Sequence, residues 1–514
     1  MTDHSSEKAA RAKPSAVPRT ADSLTDIEMP IEVDHADSTH IQQHEKPFTM
    51  WSAAALGYST TNTGAGMLLV VGNAVFGAGP LFIYGTLVVA AVGFCVAVSL
   101  GELASAYPHA GGQYFWVARL APPRYRRFLS YLTGIISWAS VVCISASCSA
   151  GSANVTAQLV AVLRPDFEFT RWMMFLVFQA ANFLAVSFNL FERTLPGLMK
   201  ICLFYCVAVV VIFVVGLLAP GSSKAAPGVV FGAEGYYNTS GWPDGLAFIL
   251  GLSGLNWGFS CLDAAVHLAE EIPQPRKNIP KSLLITVILG LGVALLLNIT
   301  IFFVAIDIPN TTSIISVLDA IYPKKPAVTV GIGATLLGLG LCSGIGIHTW
   351  MARIAWALSR DQGFPFSSRL QRLAPRPFST PLWAHLWCTV WAFFCGLLYL
   401  GSETAFNSFI SASIILQFIT YTIPIFFVLW AGRENFAHGP FWWPRVGLIA
   451  NVVVILYTFT ILVLWSFPLY YPVDAAAMNY VSAVLAFSIF YVLGYWFLTG
   501  RKHYRLVELD VDFD

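Results

Sequence analysis

The stretch that decides the fold is residues 251–271, which read GLSGLNWGFSCLDAAVHLAEE. Its first half is an apolar, membrane-type segment, but glycines and serines interrupt it before it is long enough to cross a bilayer. Its second half carries ionisable residues at helical spacing, namely Asp263, His267 and Glu270. Broken backbone at membrane depth is tolerated only where it is buried in protein or lines a cavity, and charged side chains there mark functional positions. The stretch therefore predicts a broken membrane helix at a functional site.

The composition of the whole chain indicates a polytopic membrane protein. Of its 514 residues, 56% are hydrophobic and only 11% are charged, whereas soluble domains are usually about 25% charged. The net charge of +1 gives no reason to expect nucleic acid as a partner. The 9 cysteines lack the spacing of a metal site or a disulfide framework. We therefore expect a lipid-embedded protein without a metal or another cofactor.

Twelve apolar segments reach the length of about 20 residues that a transmembrane helix needs. They lie at about 50–76, 80–106, 127–157, 172–190, 196–219, 244–269, 281–306, 328–358, 381–401, 405–430, 445–468 and 477–499. Residues 1–46 are polar and are expected to form a disordered tail. Residues 47–500 would form the membrane domain, and 501–514 a second tail.

The positive charges predict the orientation. Lys and Arg concentrate in the loops between spans 2–3, 4–5, 6–7, 8–9 and 10–11 and in the C-terminal tail, so both termini are expected to be cytoplasmic. The sequons at Asn238 and Asn310 fall in the opposite loops, where they predict glycosylation. We expect the plasma membrane, with the vacuolar membrane as the alternative.

The first span carries an interruption like that of the sixth. Residues 59–66 read STTNTGAG in an otherwise apolar segment. Paired interrupted segments at corresponding positions of two halves indicate an inverted-repeat transporter and its binding site. The alternative is that these small residues only let helices pack closely.

Motifs rich in Pro, Gly and carboxylates follow spans 2, 6 and 8. They are residues 99–114 (SLGELASAYPHAGGQY, with Glu102), 270–280 (EEIPQPRKNIP) and 359–365 (SRDQGFP). Their carboxylates face arginines within short loops, so ion pairs could hold an inner gate shut. The alternative is that they neutralise charge and cap helix ends.

The motifs at residues 102–114 and 263–280 resemble those of the amino acid–polyamine–organocation superfamily. The closer resemblance is to fungal amino acid/choline permeases, which include GABA and choline transporters, and it covers about residues 48–500. It implies an all-α polytopic membrane protein with 12 transmembrane helices, which work by alternating access. Two inverted five-helix repeats (about 48–219 and 244–430) would be followed by two extra helices (about 445–499), and helices 1 and 6 would be broken.

The resemblance also implies a substrate site between the two broken helices. Free amides of helix 1 would meet a substrate carboxylate, in agreement with the positive end of a half-helix; they belong to Thr61, Asn62, Thr63, Gly64 and Ala65. Carbonyls of unwound helix 6 would meet the ammonium group; they belong to Ser253, Gly254, Leu255 and Asn256. Trp257 and Phe259 match aromatic positions that cover the substrate and could hold a cation by cation–π attraction. Their alternative is a purely packing role.

The charged half of helix 6 contains the candidate residues for coupling transport to an ion. Asp263, His267 and Glu270 share one helical face and could form an inner gate or a proton relay, or merely a polar helix end. Some proton-coupled relatives place a lysine deep in helix 5, but here the only lysine of that span is Lys200, near its start. Ser343 on helix 8 is compatible with a sodium site without establishing one.

The leading functional hypothesis is a permease that imports amino acids or related small amines such as GABA, with H+ as the coupling ion. A choline or quaternary ammonium transporter is the alternative, and a nutrient sensor that has lost transport is an alternative of another class. The sequence contains no nucleophile–base constellation or phosphate-binding loop, so an enzyme is not expected.

Overall fold

The computed structural model describes residues 48–221, 224–304, 307–473 and 478–506. This part of the chain is helical, apart from one isolated bridge between Phe76 and Asn238. Within these described ranges, eleven helices are long and apolar enough to cross a membrane. The numbering also includes the first span, which consists of α1 and α2, and two shorter helices, α4 and α10. The helices are α1 (Met50–Thr61), α2 (Thr63–Leu69), α3 (Ala78–Ala106), α4 (Gln113–Leu120), α5 (Arg126–Leu163), α6 (Arg171–Phe188), α7 (Glu192–Leu218), α8 (Asp244–Asn256, which begins the span Asp244–Leu268), α9 (Pro275–Val304), α10 (Ile314–Ile321), α11 (Pro326–Arg360), α12 (Leu382–Gly401), α13 (Glu403–Ala431), α14 (Pro444–Leu464) and α15 (Val481–His503).

The first span is broken, as the sequence predicts. Asn62 takes a left-handed conformation (φ 43°) between α1 and α2, so neither helix alone reaches the length of a membrane span. Asparagine tolerates this conformation better than most residues because its short side chain can bond locally. Together with the eleven long helices, this broken pair accounts for the twelve predicted segments and confirms the all-helical polytopic fold.

The sixth span is also broken, but later than expected. Helix α8 continues to Asn256, a 3₁₀ turn covers Trp257–Phe259, and a second 3₁₀ segment begins at Leu262. The chain breaks at Ser260, which is extended, and at Cys261, which is left-handed (φ 63°). The expectation that residues 253–256 are unwound is therefore wrong.

Close packing explains the small residues of α8. A Cβ atom on Gly254 would lie 2.0 Å from the Asn73 side-chain nitrogen, and one on Gly251 would lie 2.5 Å from Leu81. These glycines thus allow a close approach to the first span and α3. Close helix packing, which was the alternative to a broken helix, therefore explains the glycines in the first half of residues 251–271.

The helices leave two faces, which we name from their contacts. The tail face carries the start of α1 and the end of α15; there Arg276 donates to the Ala106 carbonyl and Arg433 pairs with Glu102. The far face carries the opposite loops, where the Tyr471 amide donates to the Ser240 carbonyl. The sides between them expose apolar residues such as Phe204 (73% exposed) and Leu498 (79%), as expected of a surface in contact with lipid.

The residues after α15 fold back onto the tail face. Tyr504 is fully buried, and its hydroxyl lies 2.8 Å from the Ser130 hydroxyl at the start of α5. The Arg505 amide donates to the Asp361 carbonyl after α11, and Arg127 donates to the Tyr504 carbonyl. Burial, and secondarily the nearby Asp361, raise the pKa of the Tyr504 hydroxyl well above its ordinary value, so it stays protonated as a hydrogen-bonding group.

Candidate functional site

The two breaks meet beside a cavity of about 310 Å³ in the middle of the molecule. We name it the central cavity. It is lined by both broken spans together with α5, α11, α12 and α13, and its lining extends toward the far face as far as Leu69, which is 45% exposed. Among the described residues that line it, none is charged. Its walls combine hydroxyl, amide, thiol and aromatic groups, which suits a small polar ligand.

Direct backbone contact joins the two breaks. The Thr63 hydroxyl donates a 2.7 Å hydrogen bond to the Gly258 carbonyl. A Cβ atom on Gly66 would lie only 2.8 Å from the Gly258 Cα atom, so this crossing requires glycine. The tail-side start of α2 and the 3₁₀ turn of the sixth span are thereby held together.

The Asn62 side chain joins the first break to α11. Its Nδ2 donates to the Leu339 carbonyl (3.0 Å) and to the Ser343 hydroxyl (2.9 Å). Its Oδ1 accepts from the Ala65 amide at 3.3 Å and so caps α2. The two α11 oxygens, which are groups of the kind that bind hard cations, are thus already occupied by an amide.

The predicted substrate residues fall into three places. Thr61, Asn62, Ala65 and Trp257 line the central cavity. Ser253, Gly254 and Trp257 line a smaller recess of about 200 Å³ on the far-face side, and Trp257 lies between the two spaces together with Val70, which also lines both.

The remaining predicted residues lie outside both spaces. Thr63 is fully buried against Gly258, and a Cβ atom on Gly64 would contact Val210. Leu255 is fully buried, and Asn256 accepts from the Tyr457 hydroxyl at 3.0 Å. Phe259 does not line the cavity as expected of a lid: it packs toward Gly93 and Gly290 on α3 and α9, because it points away from Trp257 in the 3₁₀ turn.

Asp263 lies immediately beyond the break, 1% exposed, at the centre of a polar cluster. Its carboxylate accepts hydrogen bonds from Gln113 on α4 (2.6 Å) and from Gln417 (3.2 Å) and Tyr421 (2.5 Å) on α13. His267 Nε2 lies 3.4 Å from the same carboxylate. Asp263 and His267 are therefore brought together as predicted.

The hydrogen-bond partners of His267 determine how its ring meets Asp263. His267 Nδ1 lies 2.7 Å from the Ala110 carbonyl oxygen, which can only accept, so Nδ1 carries hydrogen. In a neutral imidazole, Nε2 would then turn a lone pair toward the Asp263 oxygen. A proton on either atom converts this repulsion into attraction. The neighbouring Gly112 (φ 53°) makes room, since a Cβ atom there would lie 2.8 Å from the imidazole.

The gate-motif carboxylates Glu102, Glu270 and Glu271 form ion pairs toward the tail face, but with arginines from distant segments rather than from the same loops. Glu271 forms two hydrogen bonds with Arg353 on α11 (3.0 and 3.3 Å), and both side chains are buried. Arg353 also lies 3.8 Å from Glu192. This buried cluster ties the end of the sixth span to α11.

Two further pairs lie toward the tail face, one partly exposed and one largely buried. Glu270 pairs with Arg360 at 2.6 Å, and both side chains are about one quarter exposed (28% and 24%). Glu102 pairs with Arg433 at 2.9 Å and also accepts from the Trp443 amide. The predicted gate carboxylates Glu102 and Glu270 are therefore both ion-paired.

Lys200 and the sequons lie apart from these clusters. Lys200 is exposed on α7 and is not part of the buried network. Asn238 already donates two hydrogen bonds through Nδ2, to the Trp242 carbonyl and Asp244, and a glycan at that atom would have to replace them. Asn310 ends a short 3₁₀ turn, and its side chain lies outside the described part of the chain.

Several members of the site were missed in the sequence. Arg353 is a lone arginine inside a long apolar span, which is itself a signal of function. Gln417 and Tyr421 are one helical turn apart on an apolar helix, and Gln113 is the next-to-last residue of the quoted motif. Ser260 and Cys261 lie within the decisive stretch, but neither residue type marks the exact position of a break.

Known proteins resemble this chain over almost its whole length. A family model described as amino acid permease matches residues 48–493. The transmembrane transporter swnT of Metarhizium robertsii is 43% identical over 476 residues, covering 92% of this chain and 95% of the relative. The swainsonine transporter swnT of Arthroderma benhamiae is 41% identical, with coverage of 91% and 93%. The choline transporter of Saccharomyces cerevisiae is 34% identical, with coverage of 90% and 83%.

Proposed function

Because this chain belongs to the amino acid permease family and is a membrane transporter, we propose that it imports small organic amines, in the first place amino acids of the GABA type, driven by protons. The family match confirms the resemblance that the motifs indicated. Because the family and the similar proteins are transporters, we do not interpret this chain as an enzyme.

The observation that carries the substrate proposal is the neutral central cavity at the junction of the two breaks. It offers hydroxyl and amide groups from Thr61, Asn62 and Ser343 on one side and the Trp257 ring on the other. An amine could stack on the ring by cation–π attraction, worth about 0.5–2 kcal/mol. A carboxylate could face the Thr61 and Ser343 hydroxyl groups, because the amides of Ala65 and Gly66, the α2 residues near the break that line the cavity, are already bonded to Asn62.

Proton coupling is supported by the His267–Asp263 pair. The pair lies on the tail side of Cys261, which lines the cavity, and links the sixth span to α4 and α13. Binding one proton closes this contact, and losing it sets two lone pairs against each other. The proton would therefore bias the tail-side half of the sixth span between packed and released positions.

Sodium coupling has less support. The Leu339 carbonyl and Ser343 hydroxyl are the oxygens of α11 that face the first break, and both accept from Asn62 Nδ2. An amide that donates two hydrogen bonds satisfies these oxygens without a cation. Lys200, being exposed, adds no buried proton site.

The test is uptake of labelled GABA, neutral amino acids and choline by cells that express the full chain. We expect accumulation that continues without sodium and stops when the proton gradient is collapsed. Uptake that survives the collapse but only brings the label to equal concentrations on both sides would indicate a facilitator instead. If none of the three labelled compounds enters, the transport proposal fails for these substrates and the sensor alternative gains support.

Choline is the second candidate, for two reasons. A relative that is 34% identical over 472 residues is a choline transporter. A quaternary ammonium ion needs an aromatic face such as Trp257 but no anion site, and one amide of α2 is already used by Asn62. Competition between labelled GABA and choline decides whether both use one site.

We also propose that the tail face is cytoplasmic and that the protein lies in the plasma membrane. The concentration of Lys and Arg in the tail-face loops supports this orientation. Protease protection of tags placed before residue 48 and after residue 506 tests it in intact cells.

A further inference from the structure

A second cavity of about 200 Å³ lies between α5, α6 and α11. We name it the side chamber. Small residues, among them Ser149, Ala181, Ala185 and Gly344, form most of its wall. An engineered apolar cavity of about 150 Å³ is known to hold benzene, so the side chamber has room for a compact ring.

One polar group in the wall of the side chamber is left without a partner. His348 is 1% exposed, and its Nε2 lies 3.0 Å from Asn182 Oδ1 and 3.3 Å from the Ser145 hydroxyl. An amide oxygen only accepts, so Nε2 carries the hydrogen and Nδ1 presents a lone pair. Nδ1 has no hydrogen-bond partner among the described residues. Nδ1 has almost no accessible surface, so an occupant of the chamber reaches it only after a small shift of the ring. A buried acceptor left unpaired costs free energy, and an occupant that donates a hydrogen bond would remove this cost.

Only a thin wall separates the side chamber from the central cavity. Cys148, Ser152 and Gly340 line both spaces. The Cys148 thiol donates to the Gly340 carbonyl at 3.2 Å and closes the gap between α5 and α11. A thiol–carbonyl hydrogen bond is weak, and rotation of one small side chain would join the two spaces.

We propose that the side chamber is a second compartment of the substrate site, which receives a compact ring on the carbon arm of an amine and accepts a hydrogen bond from its hydroxyl at His348. The amine end stays in the central cavity, and the arm passes the Cys148–Gly340 contact. The compartment rests on the proposed function for its role in transport, and it extends the substrate class to ring-bearing hydroxylated amines.

The test is direct binding to the purified full chain in detergent, which does not depend on transport. The probes are tyramine and phenethylamine, which differ only in the phenolic hydroxyl. We expect tyramine to bind about fivefold more tightly, the value of one neutral hydrogen bond of about 1 kcal/mol. His348→Leu should abolish the difference between the two compounds.

Two matched variants test the volume of the chamber. Ala181→Leu fills it and should weaken binding of both ring compounds about tenfold or more, since overpacking costs about 1–3 kcal/mol. Ala334→Leu makes the same change at an exposed position of α11 and should leave both affinities as in the wild type. Cys148→Ala removes the closing thiol and should tighten the binding of both.

Either of two results overturns the proposal: the wild type fails to bind tyramine, or Ala181→Leu binds both compounds as the wild type does. If the wild type binds tyramine as expected while cells accumulate no amine, the transport proposal fails and the compartment stands. If cells accumulate GABA or choline but Ala181→Leu changes no affinity, the compartment fails and transport stands.

Discussion

The Thr63 hydroxyl donates a hydrogen bond to the Gly258 carbonyl, 2.7 Å away, and so fastens the broken first span to the broken sixth. The acceptor lies in the 3₁₀ turn just before the sixth-span break, and the donor is the first residue of α2. Any shift of one half-helix is therefore transmitted to the other. Both walls of the central cavity should move as one unit on the far-face side.

The crossing beside this bond leads to the first prediction. Gly66→Ala would place a methyl group 2.8 Å from Gly258 Cα, and we expect uptake to be largely lost because backbone must move apart at a strain of about 1–3 kcal/mol. The measurement is initial uptake rate, normalised to protein at the cell surface. Gly151→Ala is the control, since it lines the same cavity but meets only Leu69 at an ordinary 3.6 Å.

Trp257 leads to the second prediction. Trp257→Ala should abolish uptake while surface expression is retained, because the ring is proposed to hold the substrate and lines both the central cavity and the far-face recess. Trp430→Ala, at a residue 74% exposed on α13, should transport normally. Normal transport by Trp257→Ala would contradict the role of the ring.

The third prediction concerns proton coupling. In Asp263→Asn, an Nδ2 in place of Oδ2 can donate to His267 Nε2 while Oδ1 still accepts from Tyr421, provided that Gln113 turns its amide oxygen toward the new NH2 group, so the contact closes without a proton. We expect substrate exchange across the membrane to continue while concentrative, pH-dependent uptake disappears. Counterflow and net uptake at several pH values separate the two. The exposed Glu234→Gln serves as a control, and pH-dependent accumulation by Asp263→Asn would exclude the shared-proton mechanism.

Adjacent glutamates should differ in their effect on stability, which is the fourth prediction. Glu271→Gln leaves the buried Arg353 charge without its main partner and should cost about 3–5 kcal/mol of unfolding free energy. Glu270→Gln breaks a partly exposed pair and should cost about 1 kcal/mol or less. Thermal unfolding of both variants in detergent gives the comparison, and equal losses in Tm would refute this assignment.

The spans and the existence of both breaks could be predicted from the sequence, because hydrophobic length and small polar interruptions are local signals. The exact break in the sixth span could not. Gly254 and Ser253 look like helix breakers, yet they remain helical because the glycine admits the Asn73 side chain. Cys261 takes the left-handed conformation instead, a choice that tertiary packing imposes.

The polar partners depended equally on the fold. Asp263 and His267 are four residues apart, so their contact could be predicted from the sequence alone. Gln113 and Tyr421 reach Asp263 across separations of 150 and 158 residues, and Arg353 reaches Glu271 across 82. No local sequence pattern determines such long-range contacts. The sequence therefore indicated the ionisable residues but not the hydrogen bonds and ion pairs that they form.

The burial of Tyr504 has a consequence for biosynthesis. Its hydroxyl forms a hydrogen bond with Ser130, a residue translated 374 positions earlier. The Ser130 hydroxyl at the start of α5 therefore lacks this partner until the residues after the last span have been translated. Premature termination before Tyr504 would leave the Ser130 hydroxyl without this partner at the tail face, even with all twelve spans inserted.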